Sequence, residues 1–269
     1  MFCIDHLFIC LSLIGDVLGD IPGRRVKSSK RIKDSRLFEV VEEVFDYHTL
    51  MALYHLINRG FIRIMYGVVA SGKEARIYWA ESEKGDIAVK IFLVLTAEFR
   101  KGRLKYIEGD PRFKKVSKDI KDLVKIWCSK EYRNMLKAYE AGVRVPKPYA
   151  YKDNVLVMEF IDSGERGKPA PLIKDVPPED PNKAFDEIKE YLRRLYAEAN
   201  LVHADLSEYN IMNKDEELVI IDWGSAVHRN HPHAGEFLLR DIKNVFNFFS
   251  RLGVKTEEPE EFYNELVKL

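Results

Sequence analysis

Cysteine is scarce in this chain of 269 residues: there are three, Cys3, Cys10 and Cys128, with no Cys-x-x-Cys spacing. That argues against a disulfide framework or a thiolate zinc site and fits reduced thiols. Net charge is missing as well, because 43 Lys and Arg balance 43 Asp and Glu. No overall field therefore directs the protein to nucleic acid, and only local clusters could. Long apolar runs are also lacking. Leu7–Ile14 (LFICLSLI) is far shorter than the roughly 18 residues of a membrane span, and Asp16 and Asp20 follow it. Asp5 and His6 stand where a signal peptide carries Lys or Arg. The expectation is a cytoplasmic protein with a loosely held N-terminal extension. There is no internal repeat and no low-complexity tract. What remains, 46% hydrophobic and 32% charged, is a globular composition, long enough for one domain or two joined lobes.

The pattern along the chain changes once. Residues 24–36 hold seven basic residues and one acid and read as a solvated arm. Apolar positions at helical spacing cover residues 37–58, with Gly60 as a stop. Three runs of β-formers follow, Phe61–Tyr66, Ala75–Ala80 and Ile87–Leu93, with turns at Gly67–Glu74 and Glu83–Asp86. A long helix is predicted over Ser117–Glu140, then strands near Tyr149–Lys152 and Asn154–Phe160. After a proline-rich link (168–181), helices are predicted at Ala184–Ala199 and Gly235–Leu252, with a loop and hairpin between them at Val202–Gly224. A strand-rich front and a helical back suggest an α+β fold of two lobes with a cleft between them. The division is residues 1–34 as the extension and basic arm, 35–161 as the N-terminal helices and β-rich lobe, and 162–269 as the helical lobe.

Four local patterns carry chemistry. Gly67-x-x-x-x-Gly72-Lys73 fits the start of a P-loop, but Glu74 replaces the Ser or Thr that would hold magnesium, and Ala75–Ala80 alternates like a strand rather than opening a helix. A glycine turn between antiparallel strands is the alternative, its backbone N–H groups lying close to phosphate oxygens. Ser71, Gly72 and Lys73 are the candidate contacts; an ordinary hairpin turn is the bland possibility. Ile87-Ala-Val-Lys90 resembles the strand lysine of kinases, with Ala88 and Lys90 on one face. Such a lysine grips phosphates and pairs with a helix carboxylate. On the long helix Val124, Trp127, Glu131, Met135 and Ala138 form one stripe, and a carboxylate in an apolar stripe needs a partner; Glu131 is chosen over Glu140. Finally, His203-Ala-Asp205-Leu206-Ser-Glu-Tyr-Asn210 matches H-x-D-L-x-x-x-N, with Ala204 where kinases have Arg, and Asp222-Trp-Gly224 follows behind a buried-strand signal, Leu218–Ile221. Charge that builds on a transferring phosphoryl group calls for a divalent cation with hard oxygen ligands, here Asn210 and Asp222. Asp205 accepts the hydroxyl proton or positions the attacking group, and His203 braces the loop.

Taken together, Ser-Gly-Lys-Glu-Ala (71–75), Ile-Ala-Val-Lys (87–90), Lys-Glu-Tyr-Arg-Asn (130–134), Val-Pro-Lys-Pro (145–148), His-Ala-Asp-Leu-Ser-Glu-Tyr-Asn (203–210) and Ile-Asp-Trp-Gly (221–224) resemble the RIO family of atypical protein kinases, most closely its first subfamily in a short, archaeal-type form. The resemblance covers roughly residues 35–255. It implies a protein-kinase-like fold whose truncated C-terminal lobe lacks an activation loop and a peptide-binding subdomain. Only 45 residues follow Gly224, with no Ala-Pro-Glu element. It further implies ATP with Mg²⁺ or Mn²⁺, serine autophosphorylation, ATPase activity through an aspartyl-phosphate at Asp222, and work on maturing small ribosomal subunits. Met158-Glu159-Phe160-Ile161 would be the adenine hinge, with Met158, Glu159 and Ile161 as contacts. Residues 98–121 hold nine basic residues against four acids; with the arm at 24–36 they could meet rRNA phosphates, although charge runs are usually solvated faces. Ser117 is a candidate autophosphorylation site.

Two other functions stay open at this stage. One is a small-molecule phosphotransferase of the same fold, which usually has a larger helical lobe. The other is a binding switch on pre-ribosomes, in which nucleotide state drives release without a protein substrate.

Overall fold

The structure, a computed structural model, describes residues 45–93, 102–113 and 120–269. The first helix, α1 (Tyr47–Asn58), starts where Asp46 accepts a hydrogen bond from Thr49 N at 2.7 Å, an N-cap that satisfies one of the helix's unpaired donors. Its apolar positions Ala52, Leu53 and Leu56 are buried. The residues predicted helical before 45 lie outside the described residues, as do the arm at 24–36 and Ser117.

Five antiparallel strands form the front half: β1 (Ile64–Ser71), β2 (Ala75–Ser82), β3 (Gly85–Phe92), β4 (Pro148–Lys152) and β5 (Val155–Glu159), in spatial order β1-β2-β3-β5-β4. Period-2 alternation sorts β3. Ile87, Val89 and Ile91 pack beneath α1 with Val155 and Val157 of β5, whereas Ala88 and Phe92 join the core on the opposite face of the sheet. Lys90 shares that second face, as its sequence position demands. The second helix, α2 (Ile120–Glu140), covers this face. Its stripe Val124, Trp127, Glu131, Met135 and Ala138 is buried throughout.

The predicted glycine loop is shorter than its pattern suggests. β1 continues through Gly67 to Ser71, and the turn is confined to Gly72–Glu74. The pairing of β1 with β2 slips twice, between Met65 and Val68 and between Val68 and Ala70. Such bulges let a strand with an internal glycine bend without ending.

The back half is helical: α3 (Pro181–Ala197), α4 (Ala234–Arg251) and α5 (Pro259–Leu266). α3 begins earlier than predicted because Asp180 caps it, accepting from the N–H groups of Asn182 and Lys183 at 3.1 Å, and proline is well suited to the first helical turn. The last helix, α5, was not predicted. It is short, and only Phe262 and Leu266 are buried, too few for a period to stand out. Phe262 packs on Phe246 of α4 with centroids 5.5 Å apart.

Two small ribbons lie between α3 and α4. β6 (Leu201–Val202) pairs with β9 (Val227–His228), and β7 (Ile211–Lys214) pairs with β8 (Glu217–Ile220). The second ribbon turns at Asp215 and Glu216, both with positive φ, as a two-residue hairpin of matching twist requires. These ribbons fix the ends of segments 203–210 and 221–226.

The two halves are also joined past β5. Arg166 pairs with Glu81 of β2 at 2.6 Å and lies over Trp79 at 5.3 Å. Gly167, at φ +76°, sits where a Cβ would come within 2.8 Å of Trp79, so only glycine fits.

Asn154, buried in the β4–β5 turn, donates to Thr49 Oγ1 at 2.8 Å and to Phe92 O at 2.9 Å, tying α1 to the end of β3. Replacing Asn154 with Ala strands both acceptors and is expected to cost about 1–3 kcal/mol, read as a lower urea midpoint at unchanged slope.

Candidate active site

Lys90 is the meeting point of the two halves. Its Nζ lies 2.7 Å from Glu131 Oε1 on α2 and 3.1 Å from Asp222 Oδ1 beyond β8. Burial works against the ammonium, but Asp222 and Glu131 outweigh it and hold the Lys90 pKa above the ordinary lysine value. Burial raises the pKa of Glu131, opposed by the same ammonium. The Lys90 charge is the main reason that Asp222 lies below the usual carboxylate range. Glu131 is 1% exposed, and its second oxygen, Oε2, has no partner.

Segment 203–210 presents Asp205 to solvent and anchors almost everything around it. Asn210 Nδ2 donates to Asp205 O at 2.7 Å, so its amide oxygen is the atom left to bind a ligand. His203 is buried and donates from Nε2 to Ile221 O at 3.0 Å, linking this segment to the one carrying Asp222. Burial lowers its pKa, which keeps the ring neutral and suits the bracing role over proton transfer. Ala204 and Asp222 both adopt left-handed backbone, φ +62° and +63°, a region disfavoured for residues with a Cβ.

Several residues that hold this geometry were given no role by the motif reading, Lys130 and Asn134 although they stand within the run 130–134. Asp241, fully buried on α4, accepts from Ala204 N at 2.7 Å and Leu206 N at 3.0 Å. Its neighbour Arg240 donates to Ala204 O, and Asn244 donates to Leu206 O at 3.1 Å. Lys130, next to Glu131 on α2, donates to Gly224 O at 2.7 Å and Ala226 O at 2.6 Å; Asn134 donates to Trp223 O at 2.9 Å and Ala226 O at 2.8 Å. Burial is the leading cause of the lowered Lys130 pKa. Asp241 could have been found by the argument that selected Glu131, since it interrupts the apolar stripe Phe237, Leu238, Ile242, Val245.

The structure thus brings Lys90, Glu131, Asp205, Asn210 and Asp222 to one cleft. Ser71, Gly72 and Lys73 are exposed at the β1–β2 turn. Met158 lies opposite Ala88, two residues along β3 from Lys90. The Glu159 carboxylate is taken by Arg144, at 2.7 and 2.8 Å, so a contact from this residue to a ligand in the cleft falls to its backbone. Ile161 O accepts from Ala170 N at 2.8 Å, so the hinge contact expected of this residue would fall to its N–H.

A hard divalent cation fits the donors present. Asp222 offers a carboxylate held ionised by Lys90, and Asn210 an amide oxygen, the oxygen ligands that Mg²⁺ prefers. When bound there, the ion supplies charge neutralisation for a polyphosphate.

Burial pushes the Asp241 carboxyl up to about 8, against the pull of its two backbone N–H donors and Arg240. A raised acid favours the protonated form in the fold. Its contribution to stability is therefore largest at low pH and is lost as pH climbs from the ordinary carboxylate value towards 8. In Asp241→Asn this decline is expected to disappear, giving a flatter curve than wild type when urea midpoints are compared from pH 5 to 8.

Comparison with known proteins agrees with the geometry. A family model, the RIO domain, matches residues 76–262. The chain is 45% identical over 228 residues to the RIO-type serine/threonine-protein kinase Rio1 of Haloferax volcanii, covering 84% of this chain and 77% of that one. The Methanocaldococcus jannaschii protein of the same name is 43% identical over 228 residues, with 85% and 76% covered. Serine/threonine-protein kinase RIO1 of Caenorhabditis elegans is 38% identical over 245 residues, which are 90% of this chain but 48% of that one. Among solved structures, the Rio2 kinase of Chaetomium thermophilum in its ADP/Mg²⁺-phosphoaspartate complex matches with a TM-score of 0.65 at 20% identity, over 100% of this chain and 86% of that one. The fold is thus that of the kinases. With one carboxylate-paired strand lysine, one Asp-to-Asn loop and one Asp-x-Gly in a single cleft, and with the domain model spanning them, the chain belongs to the RIO family of atypical serine/threonine protein kinases.

Proposed function

We propose that this kinase uses ATP and Mg²⁺ (or Mn²⁺) to phosphorylate serine hydroxyls, its own included, and hydrolyses ATP through an aspartyl-phosphate at Asp222, in the maturation of small ribosomal subunits. The observation that carries the phosphotransfer reading is the bridge from Lys90 to Glu131 and Asp222. It places an ammonium group where it can leave Asp222 for a polyphosphate, and leaves Asp222 ionised for a metal or for attack on phosphorus.

Asp205 is exposed and within one loop of Asn210, so a hydroxyl entering from solvent can hand it a proton. Roles for the hinge contacts at Met158, Glu159 and Ile161 and for Ser71, Gly72 and Lys73 belong to the same reading. The phosphoaspartate of the Chaetomium Rio2 complex supports a covalent intermediate here. The ribosomal part rests on the family resemblance; of the basic segments, 24–36 lies outside the described residues, as do 98–101 and 114–119 of the second. A cytoplasmic location belongs to the same proposal; among the described residues no helix is long and apolar enough to cross a membrane.

A binding switch is favoured as a companion role by one feature. Between Gly224 and the start of α4 at Ala234 the chain makes only the short strand β9 and a turn, which leaves no platform for an extended peptide. On that reading Asp205→Ala stays bound to pre-ribosomal particles in a sedimentation assay, and normal release of this variant counts against it.

Lys90→Met and Asp222→Asn are each expected to lower ATP turnover by at least about 100-fold, measured with radiolabelled ATP. Mass spectrometry of the wild type after brief incubation should find a phosphorylated Asp222. Unchanged turnover in both variants would end the phosphotransfer reading.

A further inference from the structure

We infer that Arg103 is a catalytic residue of this site, its guanidinium binding the terminal phosphate of the nucleotide; this rests on the phosphotransfer reading above. Arg103 enters the cleft from the segment 102–113. It pairs with Glu74, the last residue of the β1–β2 turn, and donates from Nη1 to Ser225 Oγ at 3.3 Å, three residues past Asp222. It therefore spans roof and floor. Its guanidinium lies 4.3 Å from the ring of Trp127, and Trp127 in turn packs on Gly224 so closely that a Cβ there would come within 2.6 Å of the indole nitrogen.

The order of groups along β3 assigns the position. Glu159 of the hinge pairs with Ile87, Met158 with Ala88, Lys90 with Ile77, and Phe92 with Ala75, the neighbour of Glu74. At roughly 3.3 Å per residue, the path from Ala88 past Lys90 to Phe92 covers about 13 Å. A nucleotide with its base at Met158–Ile161 and its inner phosphates at Lys90 has its terminal phosphate at the Glu74 end, where Arg103 stands. The partners on α2 repeat this order. Lys90 meets Glu131 and Arg103 meets Trp127, four residues earlier and so about one helical turn, roughly 6 Å, along the axis.

The Glu74 side chain is 45% exposed, whereas that of Arg103 is 15% exposed. The carboxylate can swing into water while the guanidinium, stacked on Trp127, stays. A phosphate then takes the place of Glu74 as the anion, in the forked geometry that guanidinium groups favour. During transfer the bond between the γ-phosphorus and the β,γ-bridging oxygen breaks and its electron pair leaves with ADP. The acceptor oxygen, of a serine hydroxyl or of the Asp222 carboxylate, bonds to phosphorus; the serine proton passes to Asp205, and an aspartyl-phosphate is cleared in a second step by water, whose proton goes to the same group. Arg103 neutralises the charge on the equatorial oxygens throughout.

The test is binding and turnover of Arg103→Ala and Arg103→Lys in the full chain. Isothermal titration with Mg²⁺ and either ADP or the non-hydrolysable analogue AMP-PNP reads the γ-phosphate contact directly. Arg103→Ala should weaken AMP-PNP by about tenfold and leave ADP within about twofold, which also shows that the variant is folded. Turnover should fall by about 100-fold or more, with Arg103→Lys intermediate in both measures. If Arg103→Ala binds both nucleotides as wild type does and turns over at the wild-type rate, or if ADP and AMP-PNP weaken together, Arg103 is not a ligand of the terminal phosphate. If the wild type itself takes up neither nucleotide, the phosphotransfer reading falls and Arg103 with it.

Discussion

One ammonium group between two carboxylates holds the reaction centre together. Lys90 comes from the sheet, Glu131 from α2 and Asp222 from the loop beyond β8, three elements far apart in sequence. A charge this deeply buried is tolerated only when paired, so none of the three can take its place without the others. The pairing is asymmetric. Glu131 is enclosed, whereas the Asp222 side chain is 48% exposed. The enclosed acid orients the lysine, and the exposed one remains available to a ligand.

Around that centre the chain uses backbone rather than side chains as structure. Lys130 and Asn134 hold the carbonyls of residues 223–226, and Asp241, Arg240 and Asn244 hold the peptide groups of 204–206. Helices α2 and α4 thus each grip one loop of the cleft. His203 ties the two loops to each other. The loops are irregular because their residues must face a ligand, and their peptide groups are satisfied by helix side chains because no strand is there to do it.

Much of this was legible in the sequence. Alternation placed Lys90 on the cleft face of β3, and the apolar stripe of α2 selected Glu131 correctly over Glu140. Spacing placed Asp205, Asn210 and Asp222 together. These succeeded because each depends on local period or on a short motif. The turn after β1 was misjudged because a glycine within a bulged strand looks like a glycine within a loop. Helix α5 was missed because two buried residues do not make a period. Arg103 left no pattern of its own, and Lys130 stood in the run 130–134 without a role: what matters about them is which backbone or ring they reach across more than ninety residues, or across a gap between elements, and no spacing records that.

The left-handed backbone at Ala204 and Asp222 has a wider meaning. A glycine would adopt either conformation without strain, yet the chain keeps side chains there: α4 offsets the cost at Ala204 through Asp241 and Arg240, and the pair with Lys90 holds Asp222. The shape of the cleft is therefore underwritten by packing in the interior of the helical half, at Phe237, Phe246 and Phe249. Damage to that interior, remote from any ligand, would blunt the chemistry at temperatures where the molecule as a whole is still folded.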